Sequence, residues 1–431
     1  MASACDARRR RSRPARPVAV ALDIALAHLV NRKRQSIVSL GGVALGVGFF
    51  IAMAAMMQGF QRYFVEKVID VSPHVVMKDE YRTAPLQPAY RAFPTGAVSL
   101  QGQRPLDELR GIRDADATLD ALLATPGVAA APTLRGPIIF RYGSKDVSGT
   151  LVGIEPAKER RVTNIERDLI AGQLDSLFAT ANGVILGEGV ATKLGIGMGD
   201  TLSAISPAGI VMRMKVVGLF KTGITTLDNF ESYALLKKAQ ILQNRANVVN
   251  QINLRLADVA GASALARTLE ARYGYRTESW EETNQNVLGI FVIQNAIMYS
   301  TVGAILVVAG FGIFNILSTV IYEKTRDIAI LRSLGFSEGD IRSIFVLEGF
   351  LIGAVGTLIG WALGFALTEV LASIRFSVEG FVKSEGFVLY RSFSHYAIVG
   401  AVSLLISITA AYLPARRAAR VRPVDIIRGA A

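Results

Sequence analysis

The 431-residue chain has a single cysteine, Cys5, and only three histidines, His28, His74 and His395. One thiol excludes an intramolecular disulfide, so a domain outside the reducing compartment must be held by its own core. No apolar stretch precedes Cys5, so lipidation there is not expected. The histidines are widely separated and show no metal-ligand spacing, so no metal centre is expected. No glycine-rich loop ending in Gly-Lys-Ser/Thr occurs either, so the chain has no P-loop to cradle nucleotide phosphates. Charge is also scarce, at 19% against 51% hydrophobic residues, which is too apolar for an ordinary globular enzyme of this size. Part of the chain is therefore expected in lipid. The net charge of +12 does not point to nucleic acid, because the arginines gather in the tails and at the ends of apolar segments instead of alternating with aromatics. No catalytic constellation stands out, and the chain reads as a non-catalytic subunit.

What the chain does have is long uncharged runs. Residues 1–36 form a basic tail with Arg8, Arg9, Arg10, Arg11, Arg13 and Arg16, a composition that cannot bury a core. Residues 37–60 carry no charge, and a helix of that length covers about 36 Å, enough for a hydrocarbon core of about 30 Å. Asn31-Arg32-Lys33-Arg34 precedes this first span and places the N-terminus in the cytoplasm. A cleavable signal peptide is disfavoured by the long tail and by Met56-Met57-Gln58, a poor cleavage site. Residues 61–286 change to mixed charge with strand-like runs, and read as an α+β water-soluble domain. Two hairpins are expected there, across Gly143–Asp146 and across Ser206–Gly209, and a helix over Ala262–Arg272. Residues 78–116, rich in Pro, Gly and Arg, read as a long loop or an inserted lobe.

Residues 287–321 are again uncharged and would span about 52 Å as one helix, more than a bilayer needs, so the first turns are expected to project as a stalk. A short cytoplasmic segment, 322–343, leads to a third span at 344–371. A short external loop at 372–395 leads to a fourth span at 396–413, with Pro414 and Arg416-Arg417 marking its exit into a cytoplasmic tail at 414–431. The expected fold is thus an α-helical membrane protein with four transmembrane helices and a large α+β extracytoplasmic domain inserted between helices 1 and 2.

Two elements carry mechanism. Gly349, Gly353, Gly356, Gly360 and Gly364 recur at spacings of three and four in the third span, and Gly42 and Gly46 lie in the first, giving flat ridges for close helix packing. Glu348, near the start of the third span, is expected at the interface. The segment from Glu323 to Ser337 places charges of both signs around Ile328 and Leu331, with Gly335 set to stop the helix, and reads as an amphipathic docking helix.

This segment, followed by Asp340-Ile341-Arg342-Ser343-Ile344-Phe345 and the glycine-rich span, resembles the permease module of FtsX-like and MacB-like ABC transporter proteins. The ending Pro414-Ala415-Arg416-Arg417-Ala418-Ala419-Arg420 through Pro423-Val424-Asp425-Ile426-Ile427-Arg428 is similar to that family's tail. On the N-terminal side, Arg32–Leu40, Met57-Gln58-Gly59-Phe60 and Val71-Ser72-Pro73-His74 look most like the transmembrane subunits of the lipoprotein-releasing (Lol) system.

The resemblance implies a multi-pass protein of the bacterial inner membrane with a periplasmic domain, whose motion is driven by two copies of a cytoplasmic ABC ATPase. ATP and Mg would be bound by that partner, and no cofactor by this chain. It also implies a second permease subunit, either an identical or a similar chain. The coupling element would be Glu323, Lys324, Arg326, Asp327, Ile328, Leu331, Arg332, Leu334 and Gly335, so Leu331→Asp is expected to uncouple ATP hydrolysis. In lipoprotein-releasing members acylated cargo enters between the first two spans, where this chain offers Met53, Met56, Met57, Phe60, Phe291, Gln294 and Met298. The turn Ser206–Gly209 is short beside the long hairpin of carrier-docking members, which leaves open whether a periplasmic carrier or adaptor docks here or on a partner subunit. Lipoprotein release is the leading expectation. MacB-like efflux of small molecules or peptides and FtsX-like regulation of a cell-wall hydrolase are the alternatives.

Overall fold

A computed structural model of the chain describes residues 22–27, 33–82, 92–96, 99, 111–375, 377–379 and 383–421. The arginine-rich tail, Cys5, His28, much of the 78–116 segment and the ending from Arg422 lie outside the described residues. The chain divides into two compact units, one of residues 1–60, 293–374 and 387–431 and the other of 61–292 and 375–386.

The first unit is helical. Among the described residues, four helices are long and apolar enough to cross a membrane: Lys33–Val71, Gln285–Glu323, Glu338–Ser373 and Phe393–Ala419. The first two are each 39 residues long, and the unit boundaries at 60/61 and 292/293 fall inside them. The third opens on a capping box in which the Ser337 hydroxyl accepts from the Asp340 N–H at 3.2 Å and the Ser337 N–H donates to the Asp340 carboxylate at 2.8 Å. The fourth does not stop before Pro414 as its sequence suggests but runs on to Ala419. Pro414 removes one N–H donor, yet Ala411, Pro414, Ala415 and Ala418 keep one buried face going, and that packing outweighs the missing bond. Glu348 also departs from expectation. It is 3% exposed, because it shares the inward face of the third helix with Ile341, Ile344, Phe345 and Ile352. The core of this unit runs through Val47, Ile51, Ile313, Leu317, Phe345 and Ala411.

In the second unit the strands are β1 (Val75–Lys78), β2 (Val128–Tyr142), β3 (Lys145–Ile154), β4 (Leu169–Gly172), β5 (Gly183–Gly187), β6 (Thr201–Ile205), β7 (Val211–Phe220), β8 (Glu231–Leu235), β9 (Gln251–Leu256) and β10 (Thr277–Ser279). They make one sheet in the order β10-β1-β9-β2-β3-β8-β5-β7-β4, with β6 pairing both β2 and β7. The 15-residue β2 joins the two halves: Val128–Thr133 pairs β9, while Leu134–Tyr142 pairs β3. Its second half alternates cleanly, with Ile138 and Phe140 buried and Ile139 and Arg141 exposed. The β2–β3 turn is tighter than expected. Tyr142 pairs Lys145, leaving Gly143 (φ +58°) and Ser144 as the turn, because Arg141 and Asp146 are cross-strand partners joined by an ion pair at 2.7 Å. The β6–β7 hairpin turns at Ser206–Ile210, with Gly209 at φ +78°. Helices Ala115–Leu123, Leu236–Leu242 and Ala262–Tyr273 cover the sheet, the first of them beginning inside the stretch expected to be loop. The connection expected as a simple external loop also holds a two-stranded hairpin, Ser377–Glu379 with Lys383–Glu385, assigned to this unit.

His74 clamps the first long helix to the sheet. One ring nitrogen meets the Ile69 carbonyl at 3.2 Å, the Leu256 N–H donates to the other at 3.1 Å, and the ring is 2% exposed. These partners require a neutral ring, and burial, aided by Arg255, lowers its pKa below the ordinary 6.5. A histidine whose folded pKa is depressed contributes stability that is present above the unfolded pKa and is lost as pH falls below about 6.5. Thermal melts of the purified chain between pH 8 and 5.5 should therefore show a steeper acid-side loss in the native sequence than in His74→Gln. At pH 8 that substitution should itself lower stability by about 2 kcal/mol.

Candidate coupling element and cargo site

The segment joining the second and third long helices is a separate helix, Thr325–Ser333, set off from the second helix by a break at Lys324. Its end is a Schellman motif: Gly335 adopts φ +95°, its N–H donates to the Arg332 carbonyl at 3.1 Å, and the Phe336 N–H donates to the Leu331 carbonyl at 3.1 Å. Only glycine takes that φ without strain, so the stop expected from the sequence has a defined geometry. Lys324 pairs Asp327 at 2.7 Å, and Arg332 reaches Glu338 of the next helix at 3.5 Å.

The helix has two faces. Ile328 is 2% exposed, and Leu331 and Phe336 pack against the core of the helical unit. The outward set is different: Glu323, Arg326, Asp327, Ile330 and Leu334 are exposed, Leu334 at 65%. Tyr322, Arg326, Ile330 and Leu334 are spaced by four. Of the residues read from the sequence, Ile328 and Leu331 thus anchor the helix to its own bundle, while Arg326, Asp327 and Leu334 face out. Ile330 and Tyr322, which lie within the segment 322–343, face out as well. In the sequence an apolar residue beside a charge reads equally well as docking or as anchoring until the bundle is in place.

The glycine ridge of the third helix serves two neighbours. A Cβ on Gly349 or Gly353 would collide with the fourth helix at Ala411 or Ser407. On Gly356, Gly360 and Gly364 it would lie 2.8, 2.6 and 2.8 Å from Val43, Val47 and Ile51 of the first helix. On the first helix, Gly46 faces Leu306 at 3.1 Å, whereas Gly42 is loosely packed, with Ala309 at 3.8 Å. Gly59 was not singled out for packing, yet a Cβ there would run into the Val388 carbonyl. Beside it the Tyr390 N–H donates to the Ala55 carbonyl at 2.9 Å, and Gln58 meets the His395 ring at 2.9 Å. The Gln58-Gly59 pair thus seats the segment that leads into the fourth helix.

The residues expected to form a cargo groove are not brought to one open surface. Met298 is fully buried, and Met53 and Met57 pack on the same core. Met56, Phe60 and Gln294 are half-buried. Phe291 belongs to the other unit, where it meets Phe64 edge-on at 5.5 Å. The first two helices close on each other through Gly46 and Leu306 and through Phe50 and Tyr299, whose rings are 6.3 Å apart. The apolar surface left open lies instead along the second helix, at Ile293, Ile297, Val308 and Phe311.

In the second unit, Arg135 of β2 is ion-paired with Glu231 of β8, and the Tyr233 hydroxyl donates to the same carboxylate at 3.1 Å. Glu159 is 1% exposed and accepts from the Thr163 hydroxyl at 3.0 Å. Burial pushes the Glu159 carboxyl up to about 7. Among the described residues no group of His, Cys, Asp and Glu could hold a metal ion.

Four apolar helices, a sheet domain lying between the first two in sequence, and a capped linking helix with an exposed outer face define a membrane permease with an extracytoplasmic domain. Residues 36–272, more than half of the chain, match the MacB-like periplasmic core domain, and residues 299–423 match the FtsX-like permease C-terminal family. The chain therefore belongs to the family of FtsX-like permeases with a MacB-like periplasmic core domain. It is 28% identical to the lipoprotein-releasing system transmembrane protein LolC of Neisseria meningitidis, over 94% of this chain and 98% of that one. It is 26% identical to the lipoprotein-releasing system transmembrane protein LolE of Haemophilus influenzae, over 90% and 92%. Identity to the macrolide export ATP-binding/permease protein MacB of a Shewanella strain is 24%, over 94% of this chain but only 60% of that protein.

Proposed function

We propose that this chain is the membrane subunit of an ATP-driven exporter in a bacterial inner membrane, acting on a lipid-linked cargo, and that the cargo is lipoprotein released toward the periplasm. In this reading the four apolar helices each cross the bilayer, both termini are cytoplasmic and the sheet domain is periplasmic. The observation that carries it is the linking helix. It is clipped to the bundle by Ile328 and Leu331 and presents Arg326, Ile330 and Leu334 outward, the arrangement needed to receive a push from a soluble ATPase. With no P-loop of its own, the chain takes its energy from that partner, which supplies ATP and Mg chemistry. The exposed apolar row Ile293, Ile297, Val308 and Phe311 supports a second permease subunit or lipid-borne cargo on that side of the second helix. Similarity over almost the full length to both LolC and LolE supports lipoprotein as the cargo.

Depletion of the protein should leave lipoproteins stranded in the inner membrane on density-gradient fractionation. Normal sorting combined with sensitivity to exported drugs would instead select MacB-like efflux, a reading supported by the MacB relative and by the short β6–β7 turn.

A further inference from the structure

Glu159, the last residue of the short helix Pro156–Glu159, is a carboxyl closed off from water inside the second unit, at 1% exposure. One of its oxygens accepts from the Thr163 hydroxyl at 3.0 Å, and the other has no hydrogen-bond partner among the described residues. The charged and titratable groups that face it are Arg135 on β2 and Glu231 and Tyr233 on β8. That guanidinium is already taken, because Arg135 is ion-paired with Glu231, to which the Tyr233 hydroxyl also donates at 3.1 Å. Two carboxyls therefore share one cation, and with both ionised the cluster would bury an uncompensated negative charge. Glu231 holds the cation and the phenol, so Glu159 is the member that keeps a proton.

The segment that follows Glu159 grips the end of the first long helix. The Val162 and Thr163 N–H groups donate to the Glu159 carbonyl at 2.9 and 2.8 Å. Asn164 then donates to the Asp70 carbonyl at 2.9 Å and to the Asp70 carboxylate at 2.7 Å, and Arg167 is ion-paired with Asp70. Arg255 ties the two together by donating to the Val162 and Asp70 carbonyls at 3.3 Å. We propose that Glu159 is a proton-operated latch: protonated, it lets residues 160–168 stay closed and hold Asp70, and on losing its proton it releases them. The reason is geometric. The side chain is out of reach of solvent and the neighbouring guanidinium is committed, so an anion there is hydrated only if the packing around it opens, and Thr163 ties it directly to the gripping segment.

The test is hydrogen–deuterium exchange, read by mass spectrometry on the full chain in nanodiscs at pH 6 and pH 8.5, with each rate divided by the chemical rate at that pH. Burial holds the Glu159 carboxyl at about 7, against 4.5 for the ordinary group that it becomes once hydrated. A carboxyl raised in the closed form favours closure while protonated and loses that contribution as pH rises through about 7. Protection of residues 160–168 should thus fall about tenfold between the two pH values, while β5, in the same sheet, keeps its own. Glu159→Gln, which keeps the shape and cannot ionise, should show no fall. Thr163→Val removes the one hydrogen bond that favours the ionised form, so it should move the midpoint to higher pH, which keeps the test decisive if Glu159→Gln fails to fold. His74 cannot produce this loss, because its hold fails on the acid side. Equal protection at both pH values, a parallel loss in β5, a midpoint unmoved by Thr163→Val, or the same fall in Glu159→Gln overturns the proposal. The last result would hand the response to Asp168, the other carboxyl of this segment that burial holds above its usual range. Exchange is read without ATPase or cargo, so failure here leaves the export reading untouched.

Discussion

Gly360→Leu is expected to lower the melting temperature of the detergent-purified chain by more than about 6 °C, the shift that corresponds to roughly 3 kcal/mol in a unit of this size. A Cβ at Gly360 would stand 2.6 Å from the Val47 side chain and 3.0 Å from the Ala44 carbonyl oxygen, so a side chain must push the first and third helices apart. Backbone cannot yield as a flexible side chain would, and loss of the close approach also loosens Gly356 and Gly364, which meet Val43 and Ile51 on the same seam. Gly312→Leu on the second helix is the matched control, because nothing lies within 4 Å of its Cβ position. It should melt within about 2 °C of the native chain. Equal losses for the two substitutions would mean that the ridge is not a packing seam and that glycine is merely tolerated there.

Leu334→Asp should reduce ATP-driven cargo release in proteoliposomes by at least about thirtyfold, the size expected for removing one apolar anchor of an interface. Its melting temperature should stay unchanged, since the side chain is 65% exposed. Ile330→Asp, at 54% exposure, should behave in the same way. Leu331→Asp separates the two faces of the helix. That side chain packs against the helical core, so a carboxylate there should lower stability along with transport, and transport loss in it alone says little about docking. Release at the native rate by Leu334→Asp with the cognate ATPase would remove the outer face of the linking helix from the coupling path.

Much of this could be read from the chain. The long uncharged runs announced the apolar helices because a bilayer imposes one simple requirement, length without charge. The β2–β3 and β6–β7 hairpins were marked by their turn residues, and Gly335 marked its Schellman stop, because these conformations are decided by a few adjacent residues. The third helix showed a glycine ridge but not that its two halves face different helices. Neither Gly59 nor the burial of Glu348 could be read, since each depends on what another part of the chain brings against it.

The same division holds for the functional surfaces. The sequence determined by itself that a charged, amphipathic segment follows the second apolar helix, and which apolar residues it contains. Only the tertiary structure decided that Ile328 and Leu331 turn inward while Ile330 and Leu334 turn outward, and that Met298 is buried in the helical core. The physical reason is range. Helix, turn and lipid solubility follow from a residue and its near neighbours, whereas the partner of an apolar face is fixed by helices hundreds of residues apart that compete to cover it.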